Sequence, residues 1–104
     1  MKITITKRGK DELIDSLTPM LPVLRATIGI SQGEIADYIG VSRQTYCALE
    51  MGKRKMSWNT FLSLFLFFIS NSETNHLLKT KKGFISQVYQ ALQYTSNEIP
   101  VQYP

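Results

Sequence analysis

The chain has 104 residues, of which 43% are hydrophobic and 19% are charged, and it carries a formal net charge of +4. This composition excludes a wholly disordered chain and predicts one folded domain with a modest core, while the basic balance favours a polyanionic partner. One cysteine and one histidine exclude an internal disulfide and do not suffice for a metal site, so we expect a protein without a cofactor in a reduced, cytoplasmic setting.

The first 17 residues are predicted to form an N-terminal arm and a short helix. Ile3 and Ile5 alternate with threonines, a strand pattern too short to stand alone, so a mobile arm is favoured over an ordered strand. A turn or two of helix is expected at residues 11–17, which begin with two acidic residues. The arm lacks the charged and then apolar pattern of a signal peptide. The most apolar run, residues 64–69, is far shorter than the roughly 18 residues of a membrane-spanning helix, so we expect no membrane partner.

Residues 18–71 are predicted to form the main helical unit. Thr18 followed by Pro19 is a helix-start signal, and Gly29 is expected to end the helix that begins there. The last helix of the unit is predicted at residues 58–70, where apolar side chains cover well over half of the circumference. A surface helix of a monomer needs an apolar stripe of only about 100°. The excess is therefore either covered by the C-terminal segment or used as a dimer interface.

Two short helices are predicted between the helix that ends at Gly29 and the helix at residues 58–70, and each of them begins after a serine cap. Ser31 can accept a hydrogen bond from the amide of Glu34 while the Glu34 carboxylate reaches back, which is a capping box. Ser42 opens the second helix, and Gly40 in the short connection suits a left-handed turn. The connection has the length of a helix-turn-helix corner. The second helix begins with arginine and glutamine, whose side chains can form bidentate hydrogen bonds with purine edges in the major groove.

Seven short motifs follow one another at consistent spacing over roughly half of the chain: Leu24-Arg25-Ala26, Gly29-Ile30-Ser31-Gln32, Glu34-Ile35-Ala36, Ile39-Gly40-Val41-Ser42, Arg43-Gln44-Thr45, Leu49-Glu50 and Gly52-Lys53-Arg54. In these motifs the sequence resembles the Cro/CI-like helix-turn-helix family, the XRE-type transcriptional regulators of bacteria and phages. The resemblance implies an all-α, lambda-repressor-like bundle of about five helices with an additional C-terminal helix. It also implies a repressor that binds a symmetric operator in double-stranded DNA as a homodimer.

The resemblance implies roles for matching positions on the second short helix and around it. The expected base-reading residues are Arg43, Gln44, Cys47 and Ala48, and the expected phosphate contacts are Gln32, Ser42, Thr45, Tyr46, Lys53, Arg54 and Lys55. Arg25 and Glu50 match an ion pair that orients the reading helix. Tyr46 stands where the family commonly has an aliphatic core residue, so it either faces the core or leans outward to a phosphate. A redox-sensing Cys47 is an alternative that lacks a resolving cysteine.

Residues 72–104 are predicted to form a C-terminal helical extension, a candidate dimerisation element. A short helix is expected from about residue 72 to 78, and a second follows a break at residues 79–83. The tail at residues 99–104 is expected to be irregular. The candidate dimer surface consists of Phe65, Phe67, Phe68, Phe84 and Val88.

The sequence also limits the alternatives to a DNA-binding regulator. It contains no paired base and nucleophile, no phosphate-cradling glycine loop and no metal-ligand cluster, so no enzyme activity is expected. No small-molecule ligand is evident. The second hypothesis is a protein-interaction module, such as an antitoxin-like or peptide-responsive protein, whose partner would contact the C-terminal extension.

Overall fold

The computed structural model describes residues 7–94, which fold into seven α-helices. These are α1 (Lys7–Leu17), α2 (Leu21–Ile28), α3 (Gln32–Ile39), α4 (Arg43–Glu50), α5 (Trp58–Ser70), α6 (Ser72–Thr80) and α7 (Phe84–Leu92). The described part of the chain contains no strand, so the predicted all-α class is confirmed. The strand-like pattern of the N-terminal arm and the irregular tail at residues 99–104 lie outside the described residues.

The start of α2 differs from the sequence-based prediction. The segment Thr18–Met20 forms a turn of 3-10 helix that joins α1 to α2, and α2 itself begins only at Leu21. The Thr18 hydroxyl donates a hydrogen bond to the carbonyl of Ile14, 2.9 Å away, and therefore does not cap the following helix. The chain thus turns from α1 into α2 with helical backbone angles throughout.

Helix α5 forms the centre of the bundle, and α1, α3 and α6 pack against it. It is 13 residues long and contains no charged residue. Its buried face consists of Phe61, Leu64, Phe65 and Phe68.

No single helix within residues 7–94 is long and apolar enough to cross a membrane. One pair of helical segments, Gly9–Ile28 and Gln32–Ile39, has the length and composition of a membrane span when taken together, but the pair is bent by 108°.

Most of the predicted dimer surface lies inside the monomer. The side chains of Phe65, Phe68, Phe84 and Val88 are at most 2% exposed, so the prediction that they form an interface is wrong. The reason is that α7 lies on α5: the Phe84 ring contacts both Phe61 and Phe65, with centroids 6.2 and 6.0 Å apart. Phe67 is half-buried, and its ring lies 5.1 Å from that of Tyr38 on α3.

Candidate nucleic-acid interface

Helices α3 and α4 are joined by a connection of three residues. Gly40 ends α3 with a φ of +79°, a left-handed conformation that glycine adopts without steric cost. The amides of Gly40 and Val41 both donate to the carbonyl of Ala36, at 2.9 and 3.0 Å. These bonds satisfy the C-terminal end of α3 and turn the chain sharply into α4.

Both helices begin with a serine cap. Ser31 accepts a hydrogen bond from the Glu34 amide at 3.0 Å, and Glu34 Oε1 accepts one from the Ser31 amide at 3.0 Å. These bonds hold the pKa of Glu34 below its ordinary value. Ser42 accepts a hydrogen bond from the Thr45 amide at 3.0 Å. In each helix the first two amides remain outside the helical ladder, where together with the helix dipole they favour an anion.

The first turn of α4 presents two exposed side chains, Arg43 and Gln44. The aliphatic part of the Arg43 side chain runs along the start of α3. Its Cδ passes close to Gly33, 3.6 Å from the position that a Cβ would occupy there. Cys47 and Ala48, which were predicted to read bases with them, are half-buried. The four residues therefore differ in access, and the fully exposed pair lies at the N-terminal end of the helix.

The carboxylate of Glu50, at the C-terminal end of α4, joins three helices. Arg25 of α2 donates from Nε to Oε1 at 2.8 Å and from Nη2 to Oε2 at 2.9 Å. The Tyr46 hydroxyl donates to Oε1 at 2.7 Å, and Gln32 Nε2 of α3 donates to Oε2 at 2.9 Å. Arg25 also donates from Nη1 to the carbonyl of Ile30 at 3.1 Å. We call this set the Glu50 network.

The charges in the Glu50 network are fixed by their surroundings. Burial alone would raise the pKa of Glu50, but the hydrogen bonds from Arg25, Tyr46 and Gln32 outweigh it and hold this pKa below its ordinary value. Burial and the hydrogen bond to Glu50 raise the pKa of the Tyr46 hydroxyl far above its usual range. At neutral pH the network therefore contains one carboxylate, one guanidinium and one neutral phenol.

The network contains two of the residues predicted to contact phosphates, and it corrects the prediction for one of them. Tyr46 is fully buried and its hydroxyl is held by Glu50, so a role at a phosphate is wrong and the core alternative is correct. Gln32 is held at both ends of its amide group, since its Oε1 accepts a hydrogen bond from the Cys47 thiol at 3.1 Å. The same bond directs the thiol toward α3. The four-residue spacing of Tyr46 and Glu50 on one helix is the signal that could have indicated their contact.

The loop after α4 carries the basic residues. The amides of Gly52, Lys53 and Arg54 donate to the carbonyls of Leu49 and Ala48 at 3.0 to 3.2 Å, so these amides cap the end of α4 instead of facing outward. The side chains of Lys53 and Arg54 are exposed.

Lys55 differs from its two basic neighbours. Its ammonium lies 3.5 Å from a carboxylate oxygen of Asp11 and 3.9 Å from one of Asp15, both on α1. All three side chains are at least 38% exposed, so these carboxylates offset only part of its charge. Lys53 and Arg54 are therefore the cations of the loop that are better placed for an external anion.

Comparison with protein-family models, curated proteins and solved structures finds no match for this chain. Among residues 7–94, no group of three or more histidine, cysteine or acidic side chains is arranged to hold a metal ion. The α3–α4 surface combines two helix amino termini, the exposed side chains of Arg43 and Gln44, and the loop cations Lys53 and Arg54.

Proposed function

We propose that this protein is a sequence-specific regulator of transcription that binds double-stranded DNA through a lambda-repressor-like helix-turn-helix of the Cro/CI-like kind. The observation that carries the proposal is the exposure of Arg43 and Gln44 on the first turn of α4. An arginine can donate two hydrogen bonds to a guanine, and a glutamine can bond an adenine at both its donor and acceptor edges. Helix α4 would lie in the major groove with its amino terminus toward the bases.

The surroundings of α4 support this placement. The α3 amino terminus and the exposed side chains of Lys53 and Arg54 are groups that bind phosphates. The Glu50 network connects α4 to α2 and α3 through charged hydrogen bonds, so the reading helix would meet the groove in a fixed orientation. Its role is orientation more than net stability, because desolvation offsets much of the attraction within a buried ion pair.

A homodimer is part of the proposal. One helix reads only a few base pairs, and useful discrimination requires a second copy about 34 Å further along the duplex. The operator is therefore expected to be an inverted repeat whose half-sites lie one helical turn apart. We propose repression as the regulatory effect, through occupation of such an operator.

The test is selection of bound sequences from a random duplex pool with the full chain. Enrichment of an inverted repeat supports direct readout by a dimer. Absence of any enrichment by folded protein at low salt would contradict DNA recognition. It would favour a protein-interaction module, whose partner could then be sought with the same preparation.

Arg43→Ala is expected to weaken binding to the selected operator by about 1–3 kcal/mol and to remove discrimination at one base position. The reason is the loss of a bidentate contact with a base edge. Affinities for the operator and for its single-base variants, measured by fluorescence anisotropy at fixed salt, check this. Arg54→Ala is the matched control, since it removes an exposed arginine of the loop. Equal losses on operator and random DNA for Arg43→Ala would refute base reading.

Lys53→Ala and Lys55→Ala are expected to differ although they remove the same charge. Lys53 is exposed, so its loss should weaken all sequences alike and reduce the slope of log affinity against log salt by about 1. Lys55 is engaged by Asp11 and Asp15, so its loss should change that slope less. Salt titrations of binding to random duplex measure both slopes. Identical slopes for the two variants would show that the α1 carboxylates do not hold Lys55 away from DNA.

A further inference from the structure

We propose that the cavity between the C-terminal end of α1 and the loop after α4 binds a small organic carboxylate, a molecule with an apolar body and one anionic group. We call it the α1–loop cavity. Its volume is about 330 Å³, which lies within the range of small-molecule sites. Its lining comes from the end of α1, the 3-10 turn, the end of α4 and the loop. It contains neither Arg43 nor Gln44, and the sequence indicated no ligand for it.

The floor of the α1–loop cavity is apolar. Ile14, Leu49 and Met56 line it, and these residues are at most 4% exposed. They come from three different parts of the chain and belong to the same core. Because the core already holds them in place, covering them with the apolar body of a ligand costs little conformational entropy. The floor therefore suits an aromatic ring or a short aliphatic chain.

The mouth of the cavity carries charges of both signs. Asp15, Arg54 and Lys55 line the cavity and are exposed. The Lys55 ammonium lies beside carboxylates of Asp11 and Asp15. The Arg54 guanidinium, by contrast, has no hydrogen-bond or salt-bridge partner among residues 7–94. The mouth therefore offers one guanidinium that is free to bind an anion.

The charges at the mouth decide the ligand class. A guanidinium presents a planar fork of donors that matches the two oxygens of a carboxylate. An amine would find the carboxylates of Asp11 and Asp15 already beside Lys55. A neutral ligand would gain nothing from Arg54 beyond an ordinary hydrogen bond. The apolar floor and the free guanidinium together favour an anionic ligand with an apolar body.

Arg54 also connects the α1–loop cavity to DNA, a consequence that rests on the proposed function. Arg54 is one of the two loop cations proposed to bind phosphates. A carboxylate bound to its guanidinium would compete with a phosphate for the same donors. The ligand should therefore weaken binding to random duplex and reduce the slope of log affinity against log salt by up to about 1.

A titration of the full chain with benzoate and with hexanoate, followed by NMR without DNA, tests the inference. Both probes are expected to shift the methyl signals of Ile14 and Met56, with a dissociation constant of about 1 mM, as is usual for ligands this small. The methyl signals of Val88, which does not line the cavity, should stay in place. Benzamide and benzylamine keep the ring without the negative charge, and they are expected to bind about fivefold or more weakly.

Arg54→Gln is expected to raise the dissociation constant for benzoate about fivefold or more, since it removes the charged fork of donors. The variant should remain folded because the side chain is exposed. Lys53→Gln is the matched control: it removes the same charge from the same loop, but Lys53 does not line the cavity.

The outcomes separate the ligand site from DNA binding. The inference is overturned if neither carboxylate shifts the cavity methyls, if benzamide binds as well as benzoate, or if the two variants have equal effects. Selective binding of the carboxylates that is lost in Arg54→Gln supports the site, even if sequence selection finds no preferred DNA. If benzoate binds but leaves the affinity for random duplex unchanged at matched ionic strength, the site stands and its effect on DNA binding is refuted.

Discussion

Glu50→Ala is expected to lower the free energy of unfolding by about 2–4 kcal/mol. Four hydrogen bonds end on this carboxylate, two from Arg25 and one each from Tyr46 and Gln32. Truncation leaves a largely enclosed guanidinium without its counter-charge and a fully buried phenol without its acceptor. Urea denaturation followed by circular dichroism, with no DNA present, measures the change.

Glu34→Ala is the control for this substitution. Glu34 is an exposed glutamate that also accepts hydrogen bonds, but only within its own capping box. Its loss is expected to cost much less than that of Glu50, because Glu34 is exposed and accepts only from the amide of its own cap residue. A cost for Glu50→Ala no greater than that for Glu34→Ala would mean that the network does not join the helices energetically.

The same site predicts a dependence of stability on pH. The folded-state pKa of Glu50 lies below its ordinary value, so its carboxylate contributes stability that is fully present above the pKa of the unfolded chain. This contribution is lost as the pH falls through the folded-state pKa. Glu50→Gln keeps the shape of the side chain without its charge. The stability difference between wild type and Glu50→Gln is therefore expected to be largest near neutral pH and to shrink below about pH 4.

The parts of the fold that follow local rules could be predicted from the sequence. The caps at Ser31 and Ser42 and the left-handed turn at Gly40 depend on residues at most four positions apart, and the structure places all three as the sequence indicates. Helix propensity and capping act within one turn, so a single sequence contains this information. The helix pair and the exposure of Arg43 could be anticipated for the same reason.

The direction of side chains between helices could not be predicted in this way. Gln32 begins a helix, where an exposed position is the ordinary expectation, yet its amide lies between Glu50 and Cys47 of the next helix. This outcome depends on the angle between α3 and α4, which no local pattern contains. For Tyr46 the sequence allowed either a core position or a phosphate contact. A phenol can lie in a core only where an acceptor meets its hydroxyl, and that acceptor depends on how the helices pack.

The apolar excess of α5 left a choice between intramolecular cover and a dimer interface, and α7 resolves part of it. Phe84 and Val88 of α7 lie in the same core as Phe65 of α5, and this contact closes a loop of nearly 20 residues. Such long-range packing is set by the whole bundle and cannot be assigned from one helical wheel. Leu66, the next residue of the same helix, remains exposed.

Phe65→Ala is accordingly expected to cost about 3–5 kcal/mol of unfolding free energy, whereas Leu66→Ala should cost less than about 0.5 kcal/mol in the monomer. The two residues are adjacent in one helix, but Phe65 is 1% exposed and Leu66 is 59% exposed. Removal of the Phe65 ring leaves a cavity beside Phe84 and Tyr89, which it contacts. Urea denaturation followed by circular dichroism measures the unfolding free energy of both variants.

The pair of substitutions separates a buried from an exposed position of one helix. Phe65→Ala removes a ring that lies against Phe84 and Tyr89 of α7. Leu66→Ala removes a side chain that is 59% exposed, so the midpoint of unfolding should be nearly unchanged. Equal costs for both substitutions would mean that Leu66 belongs to the core.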